Sequence, residues 1–294
     1  MERLNQNFHF KEDERLLEEM KTVVFSNQTV LKYLRQNKIP DEVIDREIVK
    51  IYDFASDLNF CKKCPGITLC NKQTPRLCTR IVYEHGVISR ELVPCKKYLE
   101  YIKFKAQFKT RDFPEEWLNS ELKKIDRTTP RTEAIKKFQS YFKNESSEWL
   151  YLIGEAGTGR SFLAANIAIE IAKNEYGPVA FIDTPSRFKE LHGTKDPKKF
   201  ADLIDLYSTV PVLVLDDFGN EFVNDFIRDT IIYPIISIRH NKNLMTIFTS
   251  DFTINEIETL YSTSKAGQLR AKQICRIIST SAKKEIDLGT LAIY

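Results

Sequence analysis

Apolar and polar positions follow more than one rhythm along this chain. In the first sixty residues the spacing is helical. Between Glu12 and Phe25 the apolar residues Leu16, Leu17, Met20, Val23 and Val24 fall on one face, and Pro40-Asp41 opens a second segment with Val43, Ile44, Ile48 and Ile51 aligned. From Cys61 to Cys95 the texture changes to Cys, Pro and Lys with short β-like pieces at Arg80–His85 and Val87–Val93. Residues 105–130 are polar and read as a connector, in which Phe113-Pro114 and Trp117 are residues that dock on a neighbouring surface.

After Pro130 strand-like runs alternate with helical ones. WLYLIG precedes Phe162–Ala172, PVAFID precedes Pro197–Tyr207, VPVLVLDD precedes Phe222–His240, and LMTIFTS precedes Thr253–Tyr261. This order predicts an α/β fold with a parallel sheet flanked by helices. Pro234 is expected to kink or break the Phe222–His240 helix, because its ring clashes with the preceding turn. No internal repeat is present.

Composition adds bounds. The chain has 294 residues, 42% hydrophobic and 29% charged, with 10 Gly and 11 Pro, which suits a globular protein of one large or two ordinary domains. Its longest apolar runs, Val210–Leu215 and Ile231–Ile238, are too short or too interrupted to span a bilayer, and the charged N-terminus lacks an apolar signal core. No membrane association and a cytoplasmic address are expected. The net charge is +3 but uneven: residues 61–110 hold 11 Lys/Arg against 3 Asp/Glu, and residues 265–294 hold 6 against 2. Such basic patches suit a polyanion or are simply solvated faces.

The candidate chemistry begins at GEAGTGRS. Gly154, Glu155, Ala156, Gly157, Thr158, Gly159, Arg160 and Ser161 lie between a strand-like run and a helix that starts with Phe162. That is the context of a phosphate-binding loop, whose backbone amides and helix N-terminus converge on a nucleotide phosphate. Ser161 would place its hydroxyl on Mg²⁺. Fifty-five residues later VLVLDDFG ends a buried strand in two carboxylates, Asp216 for the metal and Asp217 to polarise the attacking water. A third strand ends in Thr249, Ser250 and Asp251, at the sheet edge where ligands of open α/β sheets sit. Arg276, in AKQICRII, is either a surface residue or a finger reaching a neighbouring subunit's γ-phosphate.

A separate cysteine pattern, C-x2-C-x5-C-x7-C at Cys61, Cys64, Cys70 and Cys78, suits tetrahedral Zn²⁺ in a structural role, with His85 and Cys95 as competing ligands. Cys275 lies apart and reads as a small buried apolar residue.

With these residues in view, the chain resembles the bacterial replicative helicase loaders of the DnaI/DnaC type, AAA+ ATPases related to the transposition helper IstB. The resemblance rests on GEAGTGRSF, PVLVLDDFGNE, IRH-NKNLMTIFTSDF and AKQICRI, together with the Cys-rich module and PCKKY. It implies an AAA+ P-loop NTPase core (131–294) with a five-stranded parallel sheet, a linker (105–130), and a smaller, mainly helical N-terminal domain (1–104) carrying the zinc module at about 61–95. It also implies ATP or ADP with Mg²⁺ as ligands, a hexameric replicative helicase and single-stranded DNA as partners, and self-association through the AAA+ domain. By position it gives Asp216 and Asp217 the Walker-B roles, Asp251 the sensor-1 place and Arg276 the arginine finger.

Two positions depart from the family's pattern. Arg160 stands where the loop carries Lys, and Asp251 where sensor 1 carries Asn. A guanidinium is bulkier and less able than an ammonium to follow a moving phosphoryl group, and an ionised Asp accepts where Asn donates. Nucleotide binding is expected to survive, hydrolysis to be weak, and Arg160 to pair with Asp251. The alternatives are a nucleotide-sensing adaptor with little turnover and an IstB-like transposition helper. Arg187, Phe188 and Lys189 are the candidates for DNA contact, or else an ordinary amphipathic helix start.

Overall fold

A computed structural model describes residues 2–143 and 145–290, with side chains from Glu14 onward. The chain divides into two compact units, Met1–Lys103 and Phe104–Tyr294.

The first unit opens with four helices, α1 (Glu2–Ser26), α2 (Gln28–Gln36), α3 (Asp41–Arg46) and α4 (Ile48–Lys62). A hairpin follows, β1 (Leu77–Glu84) paired antiparallel with β2 (Val87–Pro94). The segment foreseen after Pro40 is two helices, because Glu47 leaves helical geometry between them, yet Val43, Ile44, Ile48 and Ile51 are all buried as their spacing requires. They share one core with Val24, Val30, Leu34, Ile81 and Ile88, so the hairpin presents one alternate face to the helices. His85 and Gly86 both adopt positive φ, the requirement of a two-residue hairpin turn that follows strand twist. Asp57 of α4 accepts the Thr79 amide at 2.6 Å and pairs with Lys72 at 2.8 Å, tying the cysteine-bearing loop to the helices.

Helix α5 (Lys96–Ala106) leads into the second unit, which holds β3 (Phe108–Arg111), α6 (Thr129–Phe142), β4 (Leu150–Ile153), α7 (Arg160–Lys173) and β5 (Val179–Asp183). Then come α8 (Thr184–Gly193), α9 (Pro197–Thr209), β6 (Val212–Asp216), α10 (Tyr233–Asn241), β7 (Met245–Ser250), α11 (Ile254–Tyr261), α12 (Lys265–Ala282) and β8 (Glu285–Asp287). The sheet is parallel throughout, in the order β3-β5-β6-β7-β4-β8.

The sheet therefore has six strands where five were expected. Both edge strands escaped notice because they are short; β3 lies inside the stretch read as a connector and docks on β5 beside Phe113. In that stretch Phe113 and Leu122 are buried, and Trp117 packs edge-on against Phe162 at 5.3 Å. Helices cover both faces, so the central strands are buried and largely apolar, with Thr246, Thr249 and Ser250 of β7 among the exceptions, and alternate residues feed two cores. Trp149, Tyr151, Leu213, Leu215 and Phe248 face one; Leu150, Leu152, Val212, Val214 and Ile247 face the other.

Pro234 does not break its helix. A π turn at Ile227–Ile232 runs straight into α10, with the Tyr233 amide bonded to the Arg228 carbonyl five residues back. The wider turn takes up the ring that an α-helical ladder would reject. Arg239 of α10 is fully buried and donates to the carbonyls of Tyr207, Val210 and Met245 and to the Thr246 hydroxyl. Among the described residues no helix is long and apolar enough to cross a membrane.

Candidate nucleotide-binding site

Parallel strands end on the same side, so the loops after β4, β6 and β7 converge at the carboxyl edge of the sheet. The loop after β4 reaches α7 through Gly154, Gly157 and Gly159, all at positive φ, and Gly159 caps the helix. A Cβ at Gly154 would lie 3.0 Å from Thr158 Oγ1 and 3.1 Å from the Gly289 carbonyl, so the tight path of the loop depends on glycine there. Thr158 closes the turn, its hydroxyl donating to the Glu155 carbonyl at 2.8 Å. Phe162 is half-buried against Trp117, behind the first turn of α7.

Asp216, at the end of β6, gathers the hydroxyls of the site. Thr249 donates to its Oδ1 at 2.5 Å and Ser161 also hydrogen-bonds to it. Burial pushes its carboxyl up to about 6, against the pull of those two hydroxyls. A carboxylate and a helix-start hydroxyl that already meet are a donor set suited to Mg²⁺ beside a phosphate. Asp217 follows with φ +55, a conformation that costs a non-glycine residue energy. Its amide bonds to Thr249 Oγ1 at 3.0 Å. Burial also raises Asp217, while the Arg160 charge lowers it.

Arg160 turns back over its own loop. Nη1 donates to the Gly154 carbonyl at 2.6 Å and Nη2 pairs with Asp251 at 2.5 Å. Asp251 in turn accepts from Asn220 Nδ2 at 2.7 Å. Burial pushes the Asp251 carboxyl up, but Asn220 and Arg160 outweigh it and hold the group below the usual range. Arg160 and Asp251 are thus partners, as expected from their charges. The Arg276 side chain is exposed on α12 and makes no hydrogen bond or ion pair among the described residues.

Three features here had no sequence signal. Glu221 is buried at 4% exposure, accepting from the Gly219 amide at 2.8 Å and from the Tyr261 hydroxyl, and burial raises its carboxyl. It anchors the loop after Asp217 onto α11, where Gly219 at φ +99 leaves room for Ile257 and Phe252. Asn220 would have needed the Arg160–Asp251 geometry to be noticed. Arg131, in the first turn of α6, donates to the Thr158 carbonyl at 2.9 Å. Of the residues foreseen for DNA contact, Phe188 is in the core and Arg187 is clamped by Asp112 at 2.5 Å and Glu190 at 2.8 Å, while Lys189 is exposed.

The cysteines are gathered only in part. Cys61 and Cys78 Sγ lie 3.9 Å apart, and burial pushes the Cys78 thiol up to about 12, with Cys61 and Cys95 adding to the rise. Cys70 instead accepts backbone amides of Arg76 and Lys72, which lower it, and Cys95 Sγ accepts the Tyr98 amide at 3.4 Å. Among the described residues no group of three or more His, Cys, Asp or Glu is close enough to hold a metal ion, so the expected set Cys61, Cys64, Cys70 and Cys78 is not assembled. The pair that does meet, at the end of α4 and the start of β1, belongs to that set. Cys275 is buried, as expected.

Comparison with known proteins places this geometry. The family described as IstB-like ATP binding protein matches residues 99–281. The chain is 25% identical over 272 residues to the replicative helicase loader DnaI of Bacillus subtilis (strain 168), covering 89% of this chain and 87% of that protein. It is similar to a crystal structure of DnaI, with TM-score 0.55 and 29% identity over 62% of this chain and 97% of the other. A putative primosome component from Streptococcus pyogenes serotype M3 shares the fold, with TM-score 0.53 and 22% identity over 65% of this chain and 98% of the other. The family match takes in the phosphate loop, the paired aspartates and the Thr249–Asp251 strand end, and the chain belongs to the IstB-like ATP-binding protein family.

Proposed function

We propose that this chain is an ATP-dependent loader that places a hexameric replicative helicase on single-stranded DNA. The observation that carries the reading is the convergence of Ser161, Asp216 and Thr249 beside a glycine-rich loop, in a chain similar to DnaI over most of both lengths. In this reading the loop amides from Gly157 to Ser161 bind the phosphates, Ser161 and Asp216 hold Mg²⁺, and Asp217 orients the attacking water. Mg²⁺ supplies charge neutralisation of the phosphates. Arg276, exposed on α12, is available to a neighbouring copy as an arginine finger if the second units associate. The test is a pull-down of the cognate replicative helicase by the full chain, with and without ATP. ATP-responsive capture supports the reading, and no capture in either condition rejects it.

A second reading is favoured by the Arg160–Asp251 pair. With its guanidinium held at 2.5 Å by a carboxylate, Arg160 is poorly placed to follow a phosphoryl group in flight, so the chain would bind nucleotide as a signal and turn it over slowly. Single-turnover hydrolysis with and without helicase and single-stranded DNA separates the two.

Zinc is part of the proposal for the first unit. Tetrahedral Zn–S bonds of about 2.3 Å put sulfurs about 3.8 Å apart. The 3.9 Å separation of Cys61 and Cys78 fits one edge of such a site. Cys64 with Cys70 or Cys95 would complete the four thiolates, and the metal would supply structural cross-linking alone.

A further inference from the structure

Arg131 is a buried cation whose company is poor. Its side chain is 7% exposed, and its nearest carboxylate, Asp126, lies 3.5 Å from Nη1 and is itself 76% exposed. Nη2 spends a hydrogen bond on the neutral Thr158 carbonyl and would stand 3.4 Å from a Cβ on Gly159. A guanidinium carries five donors and a full positive charge delocalised over three nitrogens, and removing that charge from water is costly without an anion close by. The two sealed, unpartnered polar atoms among the described residues belong to Thr184 and Ser208, so the unspent donors of Arg131 are not closed off.

The charge balance of the loop points to what is missing. Arg160 is neutralised by Asp251, and Asp216, Asp217 and Asp183 add further negative charge on the same side. A nucleotide polyphosphate entering this site needs a cation that is not already committed. Arg131 arrives from α6, which packs beside α7 on one face of the sheet, whereas the acidic residues lie at the ends of β5, β6 and β7. If a β-phosphate rests on the loop amides and the terminal phosphate faces those carboxylates through a metal ion, the nucleoside end points away from them, toward α6, which packs on β4 and β8.

We infer that Arg131 is a phosphate-recognising residue of this site, bracing the loop through Nη2 and directing its remaining donors to the nucleoside-proximal phosphate. This rests on the nucleotide reading above. It predicts that ADP and ATP depend on Arg131 alike, because they share that phosphate.

The test is calorimetry of the full chain with Mg²⁺ and either ADP or ATP. Arg131→Ala should weaken both ligands by about tenfold or more, the size of one charge-assisted hydrogen bond. Arg131→Lys, which keeps the charge but loses the fork that braces Thr158, should recover most of the affinity. Arg131→Met keeps the apolar stem and replaces the alanine variant if that one fails to fold. Affinity unchanged in both Arg131→Ala and Arg131→Met overturns the inference and leaves the nucleotide reading standing. So does Arg131→Lys binding as weakly as Arg131→Met, since the side chain is then a loop brace alone. No uptake of either nucleotide by the unmodified chain overturns both.

Discussion

At the scale of single residues, the site is governed by how few cations face how many carboxylates. Arg160 and Asp251 neutralise one another at 2.5 Å, and in the slow-turnover reading proposed above this removes the mobile charge that hydrolysis would use. Arg160→Lys combined with Asp251→Asn is therefore expected to raise ATP turnover by about tenfold or more, and equal or lower turnover in the double variant would rule this out. Asp216 predicts a pH effect. Its native carboxyl titrates near 6 against an ordinary 3.8, so between those values the folded chain holds a proton that the unfolded chain has lost. Its contribution to stability is present at low pH and fades as pH rises toward 6, by up to about 3 kcal/mol. Thermal melts of the nucleotide-free protein from pH 4 to 7 should show this slope, and Asp216→Asn should flatten it.

At the scale of elements, Arg239 shows what a buried cation does when it meets only neutral acceptors, backbone carbonyls and the Thr246 hydroxyl. It joins the end of α9, α10 and the start of β7, and its desolvation is severe enough to lower its pKa to about 9. Arg239→Met keeps the stem but leaves the Tyr207, Val210 and Met245 carbonyls without this donor. A loss of about 3 kcal/mol or more is expected in urea unfolding. The elements were legible from sequence wherever they were long or doubly buried: β4, β5, β6 and β7 announced themselves as apolar runs, and the phosphate loop by its glycines. The three-residue β8 and four-residue β3 carried too little pattern. Pro234 was read by the local rule, which has no term for a π turn that absorbs the ring. Glu221, Asn220 and Arg131 were invisible for another reason: each owes its role to a partner distant in sequence, 40, 31 and 27 residues away respectively, and no local spacing encodes that.

At the scale of the whole molecule, every residue of the candidate nucleotide site belongs to the second unit, while the paired cysteines belong to the first. Metal content near one zinc per chain is expected after purification without chelator, and a chelator should lower the melting of the first unit while leaving nucleotide affinity in place. Zinc content near zero would reject the metal proposal. The chain's two tryptophans offer a readout for such experiments without any label. Trp117 meets the ring of Phe162, the neighbour of Ser161, and Trp149 lies 5.8 Å from the ring of Phe248, the neighbour of Thr249. Trp117 thus packs behind the first turn of α7, whereas Trp149, whose Nε1 donates to the Leu244 carbonyl, lies at the opposite end of the sheet from the site. A nucleotide that tightens the start of α7 should change the fluorescence of Trp117, and Trp149→Phe, which removes the indole far from the site, should leave that change in place while Trp117→Phe abolishes it.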